Sequence, residues 1–241
     1  MDKFYAAFTA AVLMLFLTVI IHPISKRLEA LSRRWYRVQA VSVHVEKDPS
    51  IAWAGFPNWI AASAWLPELP AGAPQHPTDW SMWAKGIGGA DAAMTYLKIT
   101  VTCREMTTVV VDPPKLRFEQ LPLGKPPKGV VVTCRAGGAA VEPRRIQVDL
   151  DSGTTRWVGA DGEPMQSLSL ALDKGETEQF YLFASAGEGR HKWHLELPIL
   201  VDGKREVIRI DDDGAPFVTY GTDGFTEYLW IDDEWIRRDS L

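Results

Sequence analysis

Phe4 to Ile21 is an unbroken run of 18 residues, FYAAFTAAVLMLFLTVII, with no charge and only Tyr5, Thr9 and Thr18 polar. As a helix it would rise roughly 27 Å, close to the hydrocarbon thickness of a bilayer. A buried helix of a globular domain is usually shorter or shows a polar face. A cleaved secretory signal has a shorter apolar core and then a small-residue cleavage site, where this chain reads His22-Pro23-Ile24-Ser25-Lys26-Arg27. The expectation is therefore a single-pass membrane protein: one N-terminal transmembrane helix with a large soluble domain behind it.

The flanks carry unequal charge. Asp2 and Lys3 precede the run; Lys26, Arg27, Arg33, Arg34 and Arg37 follow it against Glu29 alone. The richer basic flank belongs in the cytoplasm, which favours a cytoplasmic soluble domain over an extracellular one. Ile24, Leu28, Leu31, Trp35 and Val38 line one face of a helix. The same five basic residues are then the candidate membrane-surface contacts, able to meet anionic headgroups. A plain helical continuation that carries topology charges explains the pattern equally simply.

Composition shifts near residue 39. Residues 1–38 hold six of the 26 Lys+Arg and two of the 31 Asp+Glu, so residues 39–241 carry a net charge of about −9. That balance disfavours a nucleic-acid partner, which needs clustered positive charge. The bilayer and another membrane or envelope protein are the partners expected instead.

Beyond residue 93 the pattern is β. Leu97, Ile99, Val101 and Cys103 alternate with Lys98, Thr100, Thr102 and Arg104, a period of two with one apolar face. The alternation recurs at Leu116/Phe118, Val130/Val132/Cys134, Ile146/Val148/Leu150, Leu168/Leu170/Leu172, Trp193/Leu195/Leu197 and Ile208/Ile210. Turn signals separate the runs, among them Asp151-Ser152-Gly153, Asp161-Gly162, Gly187-Glu188-Gly189 and Asp213-Gly214. The fold class expected is mainly β, an antiparallel β-sandwich-like domain over 39–241.

Residues 46–92 read as a Trp/Pro-rich cover after a first strand at Val41, Val43 and Val45. Five of the ten tryptophans, Trp53, Trp59, Trp65, Trp80 and Trp83, fall here among prolines. One short helix is expected, capped by Thr78 or Asp79, with Trp80, Trp83 and Ala84 on one face and Gly86-Ile87-Gly88-Gly89 ending it. Indole rings in a loop-rich segment anchor it to a sheet more often than they form a sugar platform.

Individual chemistry-bearing residues point to structure. Cys103 and Cys134 sit on the apolar parity of their strands, as buried thiols or, outside the cell, as disulfide partners; two cysteines without further ligands do not make a zinc site. His191 and His194 fall on opposite faces of a strand, so they are not a metal pair; Trp193 points inward, and replacement of His194 is expected to cost little. Asp211-Asp212-Asp213-Gly214 and Asp149-Leu150-Asp151-Ser152-Gly153 read as acidic turn tips rather than calcium loops.

Several patches resemble an uncharacterised family of actinobacterial membrane-anchored β-rich proteins: Ile51-Ala52-Trp53-Ala54-Gly55, Thr107-Thr108-Val109-Val110-Val111, Pro126-Pro127-Lys128-Gly129 and Arg145-Ile146-Gln147-Val148-Asp149-Leu150-Asp151. Lys192-Trp193-His194-Leu195-Glu196-Leu197, Arg209 to Phe217 and Tyr228-Leu229-Trp230 extend the likeness. The resemblance implies an N-terminal anchor and a β-rich tail, and brings no activity or catalytic residue. The function expected is a membrane-tethered binding or scaffolding module without catalytic, cofactor or metal residues. The alternative is a cell-envelope hydrolase on wall polymer or glycan using Asp149, Asp151 or Asp211.

Overall fold

A computed structural model describes residues 41–52, 63–75, 79–104, 107–120, 128–134, 144–159, 161–166, 168–201 and 203–240. The anchor expected at 4–21 and the basic residues Lys26, Arg27, Arg33, Arg34 and Arg37 lie outside them, as do Trp53 and Trp59. No helix among the described residues is long and apolar enough to cross a membrane.

Residues 41–241 form one compact unit. Its elements run β1 (Val41–Glu46), α1 (Pro49–Ala52), β2 (Ser63–Leu66), α2 (Trp80–Gly86), β3 (Ala90–Ala92), β4 (Met94–Cys103), β5 (Thr107–Val111) and β6 (Lys115–Gln120). The chain continues through β7 (Val130–Cys134), β8 (Arg145–Asp149), β9 (Thr154–Val158), β10 (Pro164–Met165), β11 (Leu168–Leu172) and β12 (Thr177–Ser185). It closes with β13 (Arg190–Val201), β14 (Lys204–Ile210), β15 (Phe217–Tyr220), β16 (Thr226–Ile231), β17 (Glu234–Arg237) and a 3-10 turn, Arg238–Ser240. The fold is mainly β.

Two sheets result. The first has the order β1-β4-β12-β8-β9-β10; the second runs β11-β5-β13-β15-β3-β2-β7-β16-β17, with β6 and β14 also paired to β13. Both are mixed, not antiparallel throughout. β8 runs parallel to β12, β3 to β15 and β7 to β16. A tight turn can join only antiparallel neighbours. Here β9, β10 and β11 intervene between β8 and β12, so the chain returns to lie alongside β8 in the same direction.

The alternation read from sequence matches the burial. Leu97, Ile99, Val101 and Cys103 are all buried while Lys98, Thr100 and Thr102 are partly exposed. β13 is the hub of the second sheet, bonded to β5, β6, β14 and β15. That position buries both of its faces at Trp193, His194 and Leu195. His194 is therefore not the exposed residue that parity implied: it is 9% exposed, with Glu119 of β6 at 3.4 Å from Nδ1.

The 46–92 segment contributes more than a cover. β2 is inserted between β3 and β7, so Ala64, Trp65 and Leu66 enter the core. Trp65 stacks flat on Tyr220, centroids 4.3 Å apart at 9°. α2 starts at Trp80 after Asp79, which makes no side-chain cap hydrogen bond, and buries Trp80 and Ala84. Trp80 meets Trp83 and Trp235 edge-on. The buried indoles act as anchors.

Candidate ligand-binding cleft

β3 is only three residues long, yet it bridges β15 and β2: Asp91 lies opposite Thr219 on one side and Ala64 on the other. Ala93 follows with φ 59, a left-handed conformation unusual for a residue with a side chain. That turn carries the chain from the second sheet into β4 of the first. Its amide donates to the Tyr220 carbonyl at 2.8 Å, and its carbonyl accepts the Ala186 N–H at 2.9 Å. Asp91 and Thr95 are thereby brought side by side at the corner.

A directed chain of hydrogen bonds ends on Asp91. The Trp193 indole N–H can only donate, and it reaches Thr219 Oγ1 at 2.9 Å. Thr95 Oγ1 donates to Asp91 Oδ2 at 2.9 Å, so the 2.7 Å contact between the two hydroxyls must be Thr219 donating to Thr95. Thr95, Thr219 and Trp193 are all buried. Asp91 Oδ1 takes no hydrogen bond among the described residues. Burial pushes the Asp91 carboxyl above its ordinary range, opposed by the nearby Lys85 ammonium and the Thr95 hydroxyl.

Asp91 lines two hollows. One, beside Thr95, Trp80 and Lys47, has about 30 Å³ of free space, room for a single water. The other is a cleft of about 350 Å³ walled by Trp65, Lys85, Ala90, Arg190, Pro216, Phe217, Val218 and Tyr220. That volume falls in the range of small-molecule sites, about 300–1,000 Å³. At its rim Lys47 holds Asp212 at 2.8 Å and Asp213 at 2.6 Å. Burial lowers the Lys47 pKa, but its bonds to these two carboxylates outweigh that and leave it raised. The Arg190 guanidinium lies over the Tyr220 ring, 5.6 Å from its centroid.

The residues singled out from sequence go elsewhere. Asp149 Oδ1 accepts the N–H groups of Asp151 and Ser152, both at 3.0 Å, and the Ser152 bond is the main reason its pKa is lowered. Asp151 accepts the Gly187 N–H at 2.7 Å and lies 3.0 Å from His191 Nε2. Asp211 takes the Gly214 N–H at 2.9 Å and Arg209 Nε at 2.6 Å. Burial alone would raise its pKa; these partners leave it lowered. All three carboxylates are turn locks. Cys103 and Cys134 are buried and not joined in a disulfide, and burial pushes the Cys134 thiol up.

Asp91, Lys85 and Arg190 escaped the sequence reading. The available signal was a lone carboxylate in Gly88-Gly89-Ala90-Asp91-Ala92-Ala93, otherwise small and uncharged. Comparison with protein-family profiles, with curated proteins and with solved structures yields no match.

Proposed function

We propose that this chain is a membrane-tethered, non-catalytic binding module, a β-sandwich-like domain whose ligand seat is the cleft around Asp91. In this reading residues 4–21 span the bilayer, and Lys26, Arg27, Arg33, Arg34 and Arg37 meet anionic headgroups on the cytoplasmic side. The observation that carries it is the cleft itself. A partly buried carboxylate with a free oxygen, perturbed by its surroundings and set in a hollow with an aromatic floor, is the usual mark of a ligand site.

The hydrolase reading draws less support. Asp149 and Asp211 are held ionised by their own turns, whereas a general acid needs a raised pKa. Asp151 spends its oxygens on the 187–188 backbone and His191. The test is a fragment screen by ligand-observed NMR on the full-length chain in mild detergent, with Val218→Trp as the variant that fills the cleft. Binding that this variant abolishes supports the module; a screen in which no fragment binds, or none responds to the variant, removes the cleft as its site.

A further inference from the structure

Resting on that reading, we infer that the cleft takes a small amphipathic anion, its carboxylate or other compact anionic group between Lys85 and Arg190 and its apolar body against Pro216 and Val218. Charge pairing decides the sign. Asp212 is bound by Lys47, and one oxygen of Asp91 accepts from the Thr95 hydroxyl. Lys85, which acts on Asp91 only through space, and Arg190, which lies over Tyr220, are both exposed, and neither forms an ion pair among the described residues.

Arg190 is also pre-positioned. A guanidinium held over the Tyr220 ring, 5.6 Å from its centroid, can still offer its N–H donors to a bidentate acceptor. The wall behind is rigid: Tyr220, 4% exposed, is held between Trp65, in the 4.3 Å stack, and the Arg190 guanidinium. Pro216 and Val218 are half-buried and supply the accessible apolar surface.

Three probes sharing one aromatic body separate the possibilities: phenylacetate, phenethylamine and 2-phenylethanol, titrated by calorimetry into the full-length chain in mild detergent. Phenylacetate should bind, more weakly as salt rises. Lys85→Ala with Arg190→Ala should weaken it at least about tenfold while the variant still unfolds in one cooperative transition, since both side chains are exposed. Phenethylamine binding that Asp91→Asn abolishes overturns the anion assignment and leaves the binding module standing. Phenylacetate binding undiminished in the double variant also overturns it. Silence from all three probes at millimolar concentration overturns the assignment, and the fragment screen then shows separately whether the cleft binds anything.

Discussion

Trp193 and Asp91, on strands that do not pair with each other, are joined through two threonine hydroxyls. The indole N–H of β13 donates to Thr219, Thr219 to Thr95, and Thr95 to the Asp91 carboxylate, with separations of 2.9, 2.7 and 2.9 Å. The direction is set at the carboxylate: Thr95 gives its one hydroxyl hydrogen to Asp91, so Thr219 donates to Thr95 while accepting from the indole.

Thr219→Val keeps the shape of the side chain and removes both the acceptor for Trp193 and the donor for Thr95. Leaving a buried indole N–H unpaired costs about 1–3 kcal/mol. Urea unfolding of the variant should show that loss with an unchanged slope. Thr219→Ser, which retains the hydroxyl, should recover much of it; a serine variant as unstable as the valine one would mean the methyl packing matters and the relay does not.

Asp91 sets a pH dependence of definite sign. Its folded-state pKa is raised, chiefly by burial, with Lys85 and Thr95 opposing and Asp212 adding repulsion. A carboxyl that holds its proton more tightly when folded stabilises the fold fully below its unfolded pKa of about 4, and that contribution is lost as pH rises through the folded value. The stability of the native chain relative to Asp91→Asn should therefore fall from about pH 4 towards neutrality. Asp149 and Asp211, with lowered pKa values, act in the opposite direction, so the difference between the two proteins is the quantity to measure. A gap that widens in favour of the native chain as pH rises would reverse the sign and refute the account.

β13 supplies a paired test of burial. Trp193 is fully buried against Phe217, centroids 4.8 Å apart, so Trp193→Ala should cost about 3–5 kcal/mol. His194→Ala was expected to be harmless from parity alone, but the ring is enclosed beside Glu119, so a loss of about 1–2 kcal/mol is now expected, through lost packing. Denaturation midpoints that rank His194→Ala with exposed substitutions such as Val207→Thr would show that the covering by β6 is not maintained in solution.

These cases show what the sequence made legible. Alternation identified the buried faces of β4, β8 and β11, because a residue's neighbours two positions away share its environment, but in β7 and β13 the other parity is buried too, at Val131 and His194. β12 was invisible to that criterion. Phe180, Leu182 and Ala184 are buried on one face, but Tyr181 and Phe183 are half-buried aromatics on the other, packed with Tyr96 around Ala52. Partners were not legible either. Each parallel pair joins strands distant in the chain, and nothing local records that β3 lies between β15 and β2. The cleft depends on that juxtaposition, since Asp91, Lys85, Arg190 and Phe217 come from four separate elements or turns. Its acidic competitors were conspicuous because turn tips concentrate aspartate.

Two remote turns should unlock together. Asp151, beyond β8, holds the 187–189 turn through the Gly187 amide and His191 Nε2, and His191 Nε2 also meets the Glu188 carbonyl at 2.8 Å. Gly221 lies against the same turn so closely that an added Cβ would stand 2.3 Å from the Glu188 amide nitrogen. Gly221→Ala must therefore push the turn away and break the Asp151 contacts. Asp151→Ala and Gly221→Ala should each destabilise, and the double variant should lose distinctly less than the two losses added. Fully additive losses in urea unfolding would show that the two contacts act on separate structures.

The last expectation joins the cysteines to the side of the membrane. Cys103 is 1% exposed in the first sheet and Cys134 is 7% exposed in the second, and no disulfide joins them. Five basic residues after the apolar run put the domain on the cytoplasmic side in the proposed topology, where thiols stay reduced. Alkylation of intact cells or membranes should spare both cysteines, and denaturation without reductant should make both react. A C-terminal phosphatase fusion that works only when exported should be silent, and a cytoplasmic fluorescent fusion bright. An active phosphatase together with a Cys103–Cys134 link in non-reducing mass spectrometry would place the domain outside and require the two sheets to bring these residues together. An active phosphatase with both thiols still free would instead reverse the topology alone, because burial at these two positions protects them from oxidation in either compartment.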